Sequence, residues 1–341
     1  MTPLTVLETL PEGLLERGAN RLHEVLDGPT LIHLPGRRHE PLFVSVLLHG
    51  NEDTGWEAMR RVLARARTHG LPRALSLFIG NVAAARHGLR RLAGQVDYNR
   101  VWPGTPEPHL PEAAVMRQVV EAMAARAVFA SVDIHNNTGR NPHYACVNRL
   151  APQFLHLATL FARTVVYFLR PLGVQSAAFA ELCPAVTIEC GRPGTAHGET
   201  HAADFVEACL NLAALPSHPV APHDIDLYHT VATVRLPGAV SLGFDPAEAD
   251  VVFPADLDRF NFHELPPGSA LGRVRPGLAN PLEVTDEHGA DVGQRLFDWE
   301  DGLLRLRRRL MPAMLTTDAR IIRQDCLCYL MERLPYPSAT A

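Results

Sequence analysis

From about residue 28 to residue 215, short apolar runs alternate with amphipathic stretches, and no other feature of the chain restricts its fold as strongly. The runs PLFVSVLLHG, ALSLFIGN and FASVDIHN are rich in Val, Ile, Phe and Leu and end in polar residues or glycine, which predicts strands. Between them, WEAMRRVLARARTHG and EAAVMRQVVEAMAARA carry apolar residues at helical spacing. The pattern continues through HYACV, FLHLATLFARTVVYFL, PAVTIECG and HAADFVEACLNLAAL. A chain of this kind folds as an α/β sheet with helices on both faces, because each apolar strand needs cover on two sides.

The texture changes at LPSHPVAPHDID, whose three prolines predict a linker over 216–226. Beyond it come short β-like runs punctuated by Pro and Gly: YHTVATVRLPG, SLGF, ADVVFP, FNFHELPPGSALGRV and PLEVTDEHG. The economical division is a larger α/β domain over 1–215 and a smaller β-rich domain over 227–341. Periodicity leaves DARIIRQDCLCYLMERL open between strand and helix.

Charge removes several function classes. With 32 basic against 37 acidic side chains, the net charge of −5 offers no excess to neutralise a phosphate backbone, so nucleic acid is not an expected partner. Every one of those basic residues is arginine, which excludes a Schiff-base lysine and a phosphate-loop lysine. Arg163 and Arg170 interrupt the most apolar stretch, so no membrane span is expected. The first residues carry Glu8 and Glu12 and no basic start, unlike a signal peptide. Six cysteines scattered through apolar segments read as reduced thiols, which points to the cytoplasm.

Ligand sites of open α/β sheets lie at the carboxyl ends of the strands. Several predicted strands here deliver polar residues at that end: His49 and Glu52 after VSVLL, Asp133 and His135 in ASVDIH, and Glu189 in AVTIECG. Two imidazoles with a carboxylate form the mixed donor set of a catalytic zinc site that keeps one position for water. Asp133 stands two residues before His135, hence on the same strand face, where it can accept an imidazole N–H and orient the ring from behind.

The motifs HGNE (49–52), NVAAARHGLRR (81–91) followed by DYNRVWPG (97–104), VDIHNNTG (132–139) and TIECGRPG (187–194) resemble, in order, those of the succinylglutamate desuccinylase/aspartoacylase family. That family is a branch of the zinc carboxypeptidase superfamily, and the resemblance implies its fold: a mixed central sheet with helices on both faces and an appended β-rich domain. It further implies one zinc ion per chain held by His49, Glu52 and His135, with Glu189 as general base and acid. Asn99 and Arg100 become binders of a substrate carboxylate, with Asn81 beside them. The family's carbonyl-polarising arginine falls on Arg91, with Arg90 in reserve, because this chain carries one residue more than usual before D-x-N-R. Asn81-Val82 stands where the family usually has Asn-Pro.

The activity implied is hydrolysis of a small anionic N-acyl amino acid, or a related amide or ester, by metal-activated water. Peptide hydrolysis by a zinc carboxypeptidase, a non-catalytic zinc-dependent binding module and a different divalent ion are the alternatives; homo-oligomerisation is left open. Cys190, beside Glu189, is read as a buried strand thiol, since this chemistry needs no acyl-enzyme. His197 and His201 have the spacing of a helical metal pair, with Glu199 or Glu207 close by, but are read as capping or solvent-facing because the family site uses other ligands. The run RLRRRL at 305–310 reads as a solvated face.

Overall fold

A computed structural model describes residues 3–336 and divides them into two compact units, one of residues 3–136 and 143–226, the other of residues 137–142 and 227–336. In the first unit the strands are β1 (Thr5–Leu7), β2 (Thr30–Leu34), β3 (Arg38–Val46), β4 (Arg73–Ile79), β5 (Ala130–His135), β6 (Tyr144–Val147), β7 (Thr164–Tyr167) and β8 (Ala185–Glu189). The helices are α1 (Thr54–His69), α2 (Val82–Ala85), α3 (Pro111–Ala124), α4 (Pro152–Thr159), α5 (Gln175–Phe179) and α6 (Ala196–Asn211). FLHLATLFARTVVYFL therefore splits into helix α4 and strand β7.

The strands lie in the order β1-β2-β4-β3-β5-β8-β6-β7. Parallel pairing joins β4, β3, β5 and β8 at the centre, while β2 meets β4 and β6 meets β8 antiparallel, so the sheet is mixed. The central strands are apolar along both faces, as parallel strands covered on two sides must be. Two contacts show that cover. Gly55 of α1 packs against the side chains of Val46 and Ile134, so closely that an added Cβ would stand 3.0 Å from each. On the opposite face, the rings of Phe43 and Phe179 of α5 stack with centroids 4.2 Å apart.

Local sequence fixes the helix ends. Pro111 opens α3, where its missing N–H costs nothing, and Gly70 closes α1 at φ 69°, its N–H bonding the carbonyl of Ala66. Helix α1 buries Trp56, Met59, Val62 and Leu63 and turns arginines outward; two of these, Arg61 and Arg65, pair with Glu199 and Glu207 of α6. Among the described residues no helix is long and apolar enough to cross a membrane.

The second unit is built from β-strands. Asp226–Arg235 pairs antiparallel with Cys328–Arg333, which pairs with Met311–Ala313. A separate small sheet runs through Leu242–Phe244, Val251–Phe253, Ala270–Val274, Leu303–Leu306 and Phe297–Asp298. Val234, Phe253, Leu257, Phe297, Leu304 and Leu315 lie in its core. The segment that periodicity left open is both things, a short helix Ala319–Gln324 followed by the strand Cys328–Arg333. Residues 137–142 join this unit: Asn141 accepts from Met314 N at 3.0 Å, and Gly139 lies so close to Leu315 that a Cβ there would sit 1.9 Å from its carbonyl oxygen.

Candidate active site

Strands β3, β5 and β8 are adjacent and parallel, so their carboxyl ends open on the same edge of the sheet. After β3 the chain turns sharply through Leu47, at φ 56°, into His49 and Gly50. Gly50 N donates to the Arg90 carbonyl at 3.1 Å, and a Cβ at Gly50 would stand 2.2 Å from Ala85 N. Only glycine fits this approach, which presses the HGNE turn onto α2 and sets the side chains on either side of it.

The result is a buried cluster. His49 Nδ1 lies 2.8 Å from Glu52 Oε1, and His135 Nδ1 lies 2.7 Å from Glu52 Oε2, so one carboxylate is shared by two imidazoles. The outer nitrogens are held as well: His49 Nε2 is 2.9 Å from Asp97 Oδ1, and His135 Nε2 is 2.7 Å from Asp133 Oδ2. Asp133 is fixed in turn by Ser45, whose hydroxyl donates to it at 2.6 Å. All five of these ionisable side chains are at least nine-tenths buried.

Electrostatics follow from that burial. Desolvation and the Arg90 guanidinium both oppose a charge on His49, yet Glu52 and Asp97 outweigh them and raise its pKa above the ordinary value. Desolvation likewise opposes a charge on His135, and Asp133 with Glu52 raises its pKa well above that value. The two imidazoles overcome the burial of Glu52 and hold its pKa far below the usual carboxylate range. Asp97 is depressed for the same reason, by His49 first and then Arg90 and Arg100, against its own burial.

His49 Nδ1 and His135 Nδ1 both face Glu52 at hydrogen-bonding distance, around a space that one divalent cation could take. The donor atoms of these three residues lie within 4.8 Å of one another. Two nitrogens and a carboxylate oxygen, each imidazole oriented by an aspartate on its far side, match the donor set and supporting shell of a catalytic zinc site. The residues fit the ion.

Glu189 ends β8 directly beside His135, its register partner in β5, and is 9% exposed. Asn136 ties the neighbourhood together: its amide nitrogen donates to Glu52 Oε2 at 3.2 Å, its side chain donates to the Gly191 carbonyl at 2.8 Å, and its Oδ1 accepts from Thr54 N at 3.3 Å. Cys190 is fully buried, and burial pushes its thiol well above the ordinary pKa, which disfavours the thiolate that nucleophilic attack requires.

The remaining sequence candidates fall in different places. Arg90, 7% exposed, sets Nη2 2.9 Å from Asp97 Oδ2 and Nη1 3.6 Å from Glu52 Oε1. Arg91 is half-buried, and its Nη1 donates to the Gln95 carbonyl at 2.9 Å, so Arg90 is the arginine that stands against the cluster. Asn81 caps α2, accepting from Ala84 N at 3.0 Å, and its amide nitrogen donates to Gln95 Oε1 at 2.9 Å. Asn99 lies behind His135: its Nδ2 is 3.1 Å from His135 Nε2 and its Oδ1 accepts from Gln175 N at 2.9 Å. Arg100 donates to the Asn99 carbonyl at 2.8 Å and its charge acts on Asp97.

Sequence reasoning gave no role to Asp97 or Asn136. Both lie inside motifs quoted above, Asp97 two residues before Asn99 and Asn136 directly after His135. A lone acid ahead of N-R in a segment with no apolar pattern was the available signal for Asp97; Asn136 carried none.

Residues 40–215, just over half of the chain, match the catalytic domain of the succinylglutamate desuccinylase/aspartoacylase family. Among solved structures, the fold is similar to that of succinylglutamate desuccinylase from Vibrio cholerae, with a TM-score of 0.60 at 14% identity over 87% of this chain and 83% of that one. Murine aminoacylase 3 gives 0.57 at 16% identity over 87% and 96%. The ectoine utilization protein of Ruegeria pomeroyi, solved with product bound, gives 0.57 at 15% over 88% of each. No curated protein matches the chain in sequence.

Proposed function

The chain belongs to the succinylglutamate desuccinylase/aspartoacylase family, and from that premise we propose that it is a zinc-dependent amidohydrolase that removes the acyl group from a small, anionic N-acyl amino acid. The observation that carries the metal reading is the shared carboxylate: both His49 Nδ1 and His135 Nδ1 are aimed at Glu52, and both outer nitrogens are held by aspartates.

His49, Glu52 and His135 would hold the ion through Nδ1, a carboxylate oxygen and Nδ1. Zinc supplies Lewis acidity there, which makes a neighbouring water acidic enough to act as a nucleophile near neutral pH. Asp97 and Asp133 keep the two imidazoles in the tautomer that presents Nδ1. Glu189 takes a proton from the attacking water on its carboxylate and returns it to the departing amine, the two-way role a single carboxylate beside the ligand set can play. Arg90 is the fixed positive charge nearest the cluster, and its guanidinium favours the oxyanion that develops on the scissile carbonyl. Arg100 offers a planar, two-pronged donor for a substrate carboxylate. None of the six cysteines is in a disulfide, in keeping with a cytoplasmic enzyme.

The test joins metal analysis of protein purified without chelator to a hydrolysis screen of N-acyl amino acids and C-terminal peptides, each with and without chelator. At least one zinc per chain and chelator-sensitive release of free amino acid from the acylated substrates are expected. Turnover of peptides alone, or turnover that survives complete metal removal, rejects the reading.

A further inference from the structure

Away from the cluster at Glu52, three more histidines converge. His143 stands just before β6, and His197 and His201 lie one turn apart on α6. The His143 ring centroid is 5.0 Å from that of His197 and 4.9 Å from that of His201, close to the 5.1 Å that separates His49 and His135.

The contact between His143 and His201 is not a face-to-face stack. Their Nδ1 atoms are 2.7 Å apart while their centroids are 4.9 Å apart with planes 17° from parallel, so the rings meet edge to edge with the two nitrogens pointing at each other. A neutral imidazole has one N–H, so across this contact one ring donates to the other and a single proton is held between the two inner nitrogens. Burial and the neighbouring imidazoles lower the pKa of His143 to about 4 and that of His201 below its ordinary value, which keeps both rings neutral near pH 7. Phe161 covers one face of His201, its ring 4.3 Å away and 12° from parallel.

We propose that His143, His197 and His201 form a second metal site, separate from the Glu52 cluster, that takes a divalent transition-metal ion of zinc's class through three imidazole nitrogens. A cation that takes the place of the shared proton meets two nitrogen donors at once, and three imidazoles are a set that suits zinc, copper and nickel over calcium or magnesium. For bonds of about 2.0–2.1 Å in tetrahedral geometry, the inner nitrogens must part by roughly 0.6 Å. His197, exposed on the first turn of α6, supplies the third nitrogen by side-chain rotation. The spacing of His197 and His201, four residues apart on one helix face, is that of a helical metal pair. An ion here would tie the start of β6 to α6, so it acts as a structural clamp on the first unit.

The experiment is equilibrium dialysis of the full chain and of a His197→Ala/His201→Ala variant against buffered zinc, with bound metal counted per chain, and thermal denaturation at each loading. The wild-type chain is expected to retain one equivalent more than the variant and to gain in Tm as that equivalent binds. This difference reads the second site whether or not the Glu52 cluster holds zinc, so its outcome is separate from that of the proposed activity. His197→Ala alone, at an exposed position, should weaken retention of that equivalent at least tenfold. Equal retention by wild type and double variant, or an extra equivalent that leaves Tm unchanged, overturns the proposal.

Discussion

Asp97 Oδ1 lies 2.9 Å from His49 Nε2, although 48 residues separate them in the chain. Together with the 2.7 Å contact of Asp133 to His135, it gives each imidazole of the cluster its own aspartate. An aspartate in that position fixes the ring's rotation and tautomer, so it would act on the affinity for a metal held by that ring without touching the metal. Asp97→Ala should weaken zinc binding by about 10–100-fold. Competition against a chromophoric chelator measures it, and unchanged affinity would remove Asp97 from the site.

Glu189 is assigned the proton, and the ligands are assigned the metal. Glu189→Gln should therefore lower kcat by about 10²–10⁴ while zinc content stays at the wild-type level. Retained turnover, read by amine release alongside elemental analysis of the same sample, would contradict the assignment.

The two adjacent arginines give a sharp contrast. Arg90 stands 3.6 Å from Glu52, while Arg91 donates to a backbone carbonyl of its own loop. Arg90→Ala should cost about 10²-fold or more in kcat/KM, and Arg91→Ala far less. Kinetics of the pair on one substrate decide it; the reverse order would restore Arg91.

The lowered pKa of His143 predicts a pH effect on stability. Burial first, then His201 and His197, pushes that ring down from 6.5 to about 4. Below pH 6.5 the unfolded chain takes up a proton that the folded ring refuses until near pH 4, so this histidine costs stability progressively as pH falls through that interval. Above pH 6.5 it has no such effect. In chelator, His143→Gln should lose less stability between pH 7 and pH 4.5 than wild type does, as read by denaturant midpoints.

Asn81 caps α2 through Ala84 N. Asn81→Ala should destabilise the fold by about 1 kcal/mol, measured by chemical denaturation, with KM nearly unchanged. A large rise in KM without loss of stability would mean that substrate, not the helix, uses the amide.

The sequence by itself determined the sheet and the rim. Apolar periodicity marked the strands because a parallel strand covered on both faces can hold few polar residues before its end, and so the polar residues that close β3, β5 and β8 stood out. That His49, Glu52, His135 and Glu189 would stand at one edge of the sheet was legible for that reason, and the ordered motifs around them pointed to the family. The tertiary structure alone decided which second residues meet them. Asp97 comes from a loop with no period of its own, Arg90 and Arg91 differ by one step along that loop, and the His143–His201 contact joins two elements 58 residues apart. Local pattern records which side a residue faces on its own element; it holds no record of distances between elements, which arise only when the sheet order is set and the helices pack.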